Sequence, residues 1–220
     1  MVRTRQEPPK DPSEYIDFPA VSLGAGVSVF RSHGIGDDPY QVSSYGRFGL
    51  KGVFGTFYVG DNYTVAIRER IGANLGVIPL SLTAGFEVSE LVTLRTWRCA
   101  DVLHPTAADF GVTRAPQPSD PINTADPNRK YDQYQVELQF AQCFLKAGLQ
   151  GIRYGSNFAP SYSPNAWALF IERKSNRSMK TIRTVSGVAA VLAAGLSLEP
   201  RTRNLSDFTV WSSWDEFGKS

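Results

Sequence analysis

Apolar and polar positions alternate along this chain in two rhythms, one of period two and one of three to four. Period two marks a strand that has one face in the core, and three- and four-residue offsets mark a helix face. Val21–Arg31 has the first rhythm, with Val27, Val29 and Arg31 on one side and Ser28 and Phe30 on the other. Val53–Val59 is aromatic and β-branched and predicts a second strand. Gly60-Asp61-Asn62 then breaks the pattern, with Asp61 or Asn62 placed to cap a helix that starts at Tyr63. On that helix Val65, Ala66, Glu69 and Ala73 share a face, and Arg68 points elsewhere. Gly76–Val102 alternates again and predicts at least two strands, with Trp97 as a core anchor. Tyr131–Ala147 is the best helical stretch: Tyr134, Leu138, Ala141 and Leu145 keep helical spacing, and Gly148 is placed to end it. Leu149–Tyr154 and Ala166–Ile171 read as two further strands. Val185–Leu198 is apolar and Ala-rich, either a packed helix or a strand pair.

Between these elements lie stretches that break both rhythms. Thr106–Lys130, with Pro116, Pro118, Pro121 and Pro127, predicts a long loop. Residues 1–20 carry Pro8, Pro9, Pro12 and Pro19 and read as a flexible polar arm rather than a secretory leader. The division that follows is an arm over 1–20, a domain over 21–175, and an extension over 176–220 packed on the domain or on a partner. The end of the extension is amphipathic, with Trp211, Trp214 and Phe217 beside Asp215 and Glu216.

Composition narrows the picture. A chain of 220 residues with 42% hydrophobic and 12% aromatic residues suits one domain with a real core. A net charge of +2 offers no general attraction to nucleic acid or to an anionic membrane. Val185–Leu198 is too short and too broken to span a bilayer. The cysteines, Cys99 and Cys143, lie far apart without a CxxC pair, which suits a reduced, cytoplasmic setting. His33 and His104 have no cysteine or acid at ligand spacing, so no metal site is expected.

The candidate chemistry begins with Glu69. A carboxylate on the core-facing side of a helix is costly unless it has a partner or a task. Its neighbours Arg68 and Arg70 leave the alternative of an ordinary solvated charge run open. Arg31, at a strand's end, is either a surface ion-pair residue or a planar donor fork for phosphate or carboxylate. Arg47 lies between Gly46 and Phe48-Gly49, where a tight turn with an exposed arginine is the simpler reading. Ser156, at a strand exit, is either a turn-stabilising residue or a ligand hydroxyl contact. No GxGxxG unit and no P-loop is present, which argues against a Rossmann dehydrogenase and a P-loop NTPase.

Taken in order, these pieces resemble the RES domain family. The resemblance rests on Phe30-Arg31, Gly46-Arg47-Phe48, Tyr58-Val59-Gly60-Asp61 with Ala66 and Glu69, Gly151-Ile152-Arg153-Tyr154-Gly155-Ser156, and Asn165 before Ala166–Phe170, over about residues 25–172. Phe48-Gly49 departs from the Trp-Asn that often follows Gly-Arg in the family. The resemblance implies an α+β fold, a mixed split-sheet domain similar to ADP-ribosyltransferase toxins. It implies a toxin that consumes NAD as its substrate and needs no metal, by glycohydrolysis, phosphorolysis or ADP-ribosyl transfer. It implies Arg31, Glu69 and Ser156 as catalytic residues, and Arg31, Arg47, Tyr58, Ser156 and Asn165 as the NAD-binding set. The partner it implies is a helix-turn-helix (Xre-type) antitoxin that blocks the cleft, in a homo-oligomer or a toxin–antitoxin hetero-oligomer. A non-catalytic nucleotide- or protein-binding module on the same fold, and an exported effector with the same chemistry, are the competing readings.

Overall fold

The computed structural model describes residues 11–72, 76–112, 134–156, 165–173 and 178–199. Ten strands and four α-helices succeed one another among them, besides short 3-10 turns at Pro12–Tyr15 and Pro105–Phe110: β1 (Ala20–Leu23), β2 (Ser28–Gly34), β3 (Phe54–Gly60), α1 (Tyr63–Ile71), β4 (Val77–Ile78), α2 (Leu80–Thr83), β5 (Phe86–Thr93), β6 (Trp97–Asp101), α3 (Gln135–Lys146), β7 (Gly151–Gly155), β8 (Asn165–Glu172), β9 (Met179–Ser186), α4 (Gly187–Ala193) and β10 (Ser197–Leu198). Eight strands form one mixed sheet in the order β1-β6-β7-β8-β3-β2-β5-β9, and β10 pairs with β4 in a parallel ribbon. Within the large sheet only β6 and β7 run parallel.

The sheet is split. β3 pairs with β8 along its whole length, and β2 pairs with β5 along its whole length. β2 and β3 meet only at Phe30 and Gly60. Beyond that rung they diverge, and the segment leading to Ser43 bridges onto Thr56 of β3 instead. One apolar cluster, including Val29, Phe57, Leu91, Trp97, Cys99 and Leu169, draws residues from both halves. A second cluster packs α3, through Phe140, Ala141 and Phe144, onto β7 and β8. A third packs α1 and α4, through Ile67, Ala190 and Val191, onto β2 and β5. The split thus falls between the α1 and α3 layers.

Local chemistry explains the turn from β3 into α1. The Asn62 side chain accepts from Val65 N–H at 3.0 Å and caps the helix. Gly72, at φ +71°, ends it in the left-handed region. A Cβ on Gly60 would lie 2.7 Å from Val65, so only glycine lets the helix start this close to the strand.

Four expectations change. The stretch Val21–Arg31 is two strands, not one: a turn at Gly24–Val27 sends β1 to one edge of the sheet and β2 to its middle. The arm expected over 1–20 is partly built in, because Tyr15 and Phe18 sit in the α3 core; residues 1–10 lie outside the described residues. Residues 178–199 are likewise part of the body, since β9 pairs along β5 and α4 packs against α1. Arg68, placed away from the core by the helical pattern, is buried. The proline-rich stretch over 113–133 and the tail over 200–220 lie outside the described residues. Trp97 is fully buried, as its size and setting predict. Both thiols are free and buried, and burial pushes Cys99 up to about 12.

Candidate functional site

A cleft of about 630 Å³ opens where β2 and β3 part, within the usual range for ligand sites, roughly 300–1,000 Å³. Arg47, Tyr58, Glu69, Arg70, Tyr134 and Tyr154 line it, with Phe30 and Ser32 from β2.

β3 positions the loop that carries Arg47. Ser43 and Thr56 exchange backbone hydrogen bonds of 2.8 and 2.9 Å. The Thr56 hydroxyl donates to Phe48 C=O at 2.6 Å and accepts from Leu50 N–H at 3.0 Å. Tyr58 accepts from Phe48 N–H at 2.9 Å. Alternate residues of one strand therefore strap the loop down on both sides of Arg47. Gly46, at φ +96°, supplies the turn, and its missing side chain leaves room for the Tyr58 ring. The Arg47 guanidinium then lies 5.6 Å over the ring of Tyr154.

Glu69 faces this group from α1. Its Oε1 is buried and has no hydrogen-bond partner, and the same holds for Nη1 of Arg47. Burial pushes the Tyr58 hydroxyl well above its ordinary 10. Burial does the same to Tyr154, and the Glu69 carboxylate adds to it. Both phenols therefore stay protonated at neutral pH, as donors beside an acid.

The structure thus brings Arg47, Tyr58 and Glu69 together. Ser156 lies just past β7 and is not part of the cleft wall. Asn165 is engaged elsewhere: its backbone N–H and side-chain amide both donate to Asp61 Oδ2, at 3.1 and 2.7 Å. Trp167 Nε1 donates to the other oxygen of the same carboxylate. Asp61 is therefore a clamp between β8 and the β3–α1 turn, and Asn165 is not among the residues that line the cleft.

Arg31 does not line the cleft. It shares the side of β2 that carries Val29 into the inter-half core, while Phe30 and Ser32 take the cleft side. Its guanidinium sits 4.2 Å over Phe57 and donates through Nη2 to Gln41 C=O. Nε and Nη1 are buried without partners, and burial lowers its pKa to about 10, with Asp38 pulling the other way.

Sequence reasoning missed Tyr154, Tyr134 and Arg70 as wall residues. Tyr154 was readable, since it stands two residues before Ser156 at the strand's exit. Tyr134 was read only as a position in a helical stripe. Among the described residues no three of His, Cys, Asp or Glu gather as a metal site. No described helix is long and apolar enough to cross a membrane.

A split mixed sheet with its cleft at the split makes this an α+β domain, the class that the resemblance to the RES family implies. The fold matches a chain in the crystal structure of the M. tuberculosis MbcT–MbcA toxin–antitoxin complex, at a TM-score of 0.50 and 11% identity, over 77% of this chain and 89% of that one. The family model of the RES domain matches residues 29–185, and the chain belongs to that family. No curated protein sequence matches it.

Proposed function

We propose that this protein is a toxin that consumes NAD by breaking its nicotinamide–ribose bond. The observation that carries the reading is a single cleft lined by both Arg47 and Glu69, each with a buried polar atom that has no hydrogen-bond partner, Nη1 and Oε1 respectively. Buried polar atoms without partners are costly, and a ligand with complementary groups relieves that cost. A dinucleotide has both complements: a diphosphate for the guanidinium and ribose hydroxyls for the carboxylate.

The chemistry follows from the charges. As the C1′–nitrogen bond breaks, its electron pair leaves with the nicotinamide ring, which becomes neutral. Positive charge then develops on the ribose, as in other glycosyl cleavages. A fixed carboxylate at Glu69 stabilises that charge, and it needs no reorganisation during the reaction. The protonated hydroxyl of Tyr58 holds the substrate beside it, and that of Tyr154 hydrogen-bonds the Glu69 carboxylate. Water, phosphate or a protein side chain then captures C1′. Arg31 contributes from behind, by gripping Gln41 at the base of the loop that ends in Arg47. Ser156, just past β7, is the remaining candidate for a ribose or phosphate contact. The partner is a helix-turn-helix antitoxin that inserts a segment into the cleft; the structural neighbour, a chain of a toxin–antitoxin complex, supports an antitoxin as partner.

The test is nicotinamide release from NAD by the purified chain and by Glu69→Gln. The wild type should release nicotinamide, and the variant should be slower by about 10²–10³-fold while still folded. Equal rates would remove Glu69 from the chemistry. NAD binding without any turnover would make the domain a non-catalytic nucleotide-binding platform.

A further inference from the structure

β3 holds the Arg47 loop from within the sheet, and a second group holds it from the end of β8. Arg173 is the first residue after β8, and its backbone N–H donates to Val53 C=O at 2.9 Å. Its guanidinium reaches back to the loop. Nε donates to Gly52 C=O at 3.1 Å. Nη2 donates to Ser44 Oγ at 2.6 Å and to Leu50 C=O at 3.3 Å. One planar group thus bridges the entry of the loop at Ser44 and its exit at Leu50–Gly52, with Arg47 between them. Gly55 leaves room for this, because a Cβ there would lie 3.0 Å from Nη2. An exposed arginine in a single ion pair contributes little, but a rigid fork shared among three oxygens fixes both ends of a loop at once.

We propose that Arg173 is a positioning residue for Arg47. By clasping the two ends of the loop, it holds the Arg47 guanidinium at the cleft wall, ready for an incoming diphosphate. The diphosphate rests on the NAD reading; the clasp does not.

Two measurements on the full chain decide it. In nicotinamide release from NAD, Arg173→Ala should raise KM about tenfold and leave kcat within about twofold, because a group that grips the diphosphate equally before and during the reaction acts on KM. A side chain that only stabilises the fold would lower the active fraction and leave KM unchanged, and that result overturns the proposal. Arg173→Lys keeps the charge but not the fork, so its KM should stay near that of Arg173→Ala. Recovery of the wild-type KM by lysine overturns the clasp. The second measurement needs no NAD. Lys51 is exposed inside the clasped loop. Trypsin should cut after Lys51 about tenfold faster in Arg173→Ala than in the wild type, measured against cleavage after the exposed Lys146 at the end of α3. An unchanged ratio overturns the clasp whether or not NAD is turned over. If the wild type releases no nicotinamide, the reading of the reaction falls, and the digestion still decides the clasp.

Discussion

Alternation along β2 decides what Arg31 can touch. Val29 is fully buried in the inter-half core, and a residue two positions on must follow it there. The sequence pattern already placed Val29 and Arg31 on one side. What it lacked was which side faced the ligand, because that depends on a sheet whose halves come from distant parts of the chain. Arg47 shows the opposite case. Its own neighbourhood reads as a plain turn, and only Thr56 and Tyr58, nine and eleven residues later, turn it into part of a wall. Glu69 was legible because a lone acid on an apolar helix face is a local signal. Glu137 sends the same signal from α3, beside Tyr134 and Phe140, and it was overlooked in favour of the apolar stripe. Its titration gives a direct check. Burial raises its folded pKa above the ordinary 4.5, with Arg47 pulling part of the way back. The folded state then holds the proton more tightly than the unfolded one. Stability must fall as pH rises from the ordinary value through the raised one. Urea unfolding of wild type against Glu137→Gln should show the wild type losing ground over that window, and a pH-independent difference would contradict the burial of a titrating acid.

At the scale of elements, the β3–α1 unit was the most readable part of the chain. Strand, polar break and helix all fall within a residue or two of their predicted places, because Asn62 and Gly72 mark the helix ends chemically. The clamp beneath the unit was invisible. Asp61 looked like an alternative cap, and its partners Asn165 and Trp167 lie more than a hundred residues away. Removing that carboxylate strands an indole N–H and an amide in a half-buried setting. Asp61→Ala should therefore cost about 2–4 kcal/mol in denaturant unfolding, since each orphaned donor costs roughly 1–3 kcal/mol. A loss under about 0.5 kcal/mol, typical of a surface substitution, would mean that water replaces the clamp freely.

Across the whole molecule, the boundary suggested by composition at residue 175 cuts through the sheet. β9 supplies the outer rail of the β2–β5 half, and its Met179 reaches the inter-half core. The basic run from Arg173 to Arg183 looked like the start of a tail because β9 is an edge strand, and most of its side chains are exposed. A chain ending at residue 175 should lose cooperative unfolding by circular dichroism; a sharp transition like that of the full chain would show that β9 and α4 are dispensable.

The two sulfhydryls sit in different cores, Cys99 between the halves and Cys143 on α3. Cys99 is fully buried and Cys143 is 9% exposed, so alkylation of Cys99 in the native protein proceeds only as fast as its own region breathes. The pair is thus a built-in two-channel clock. A dinucleotide that staples the halves across the split should slow the Cys99 channel more than the Cys143 channel, as read by mass spectrometry after timed quenching. Equal slowing would mean that the ligand tightens the molecule as one block.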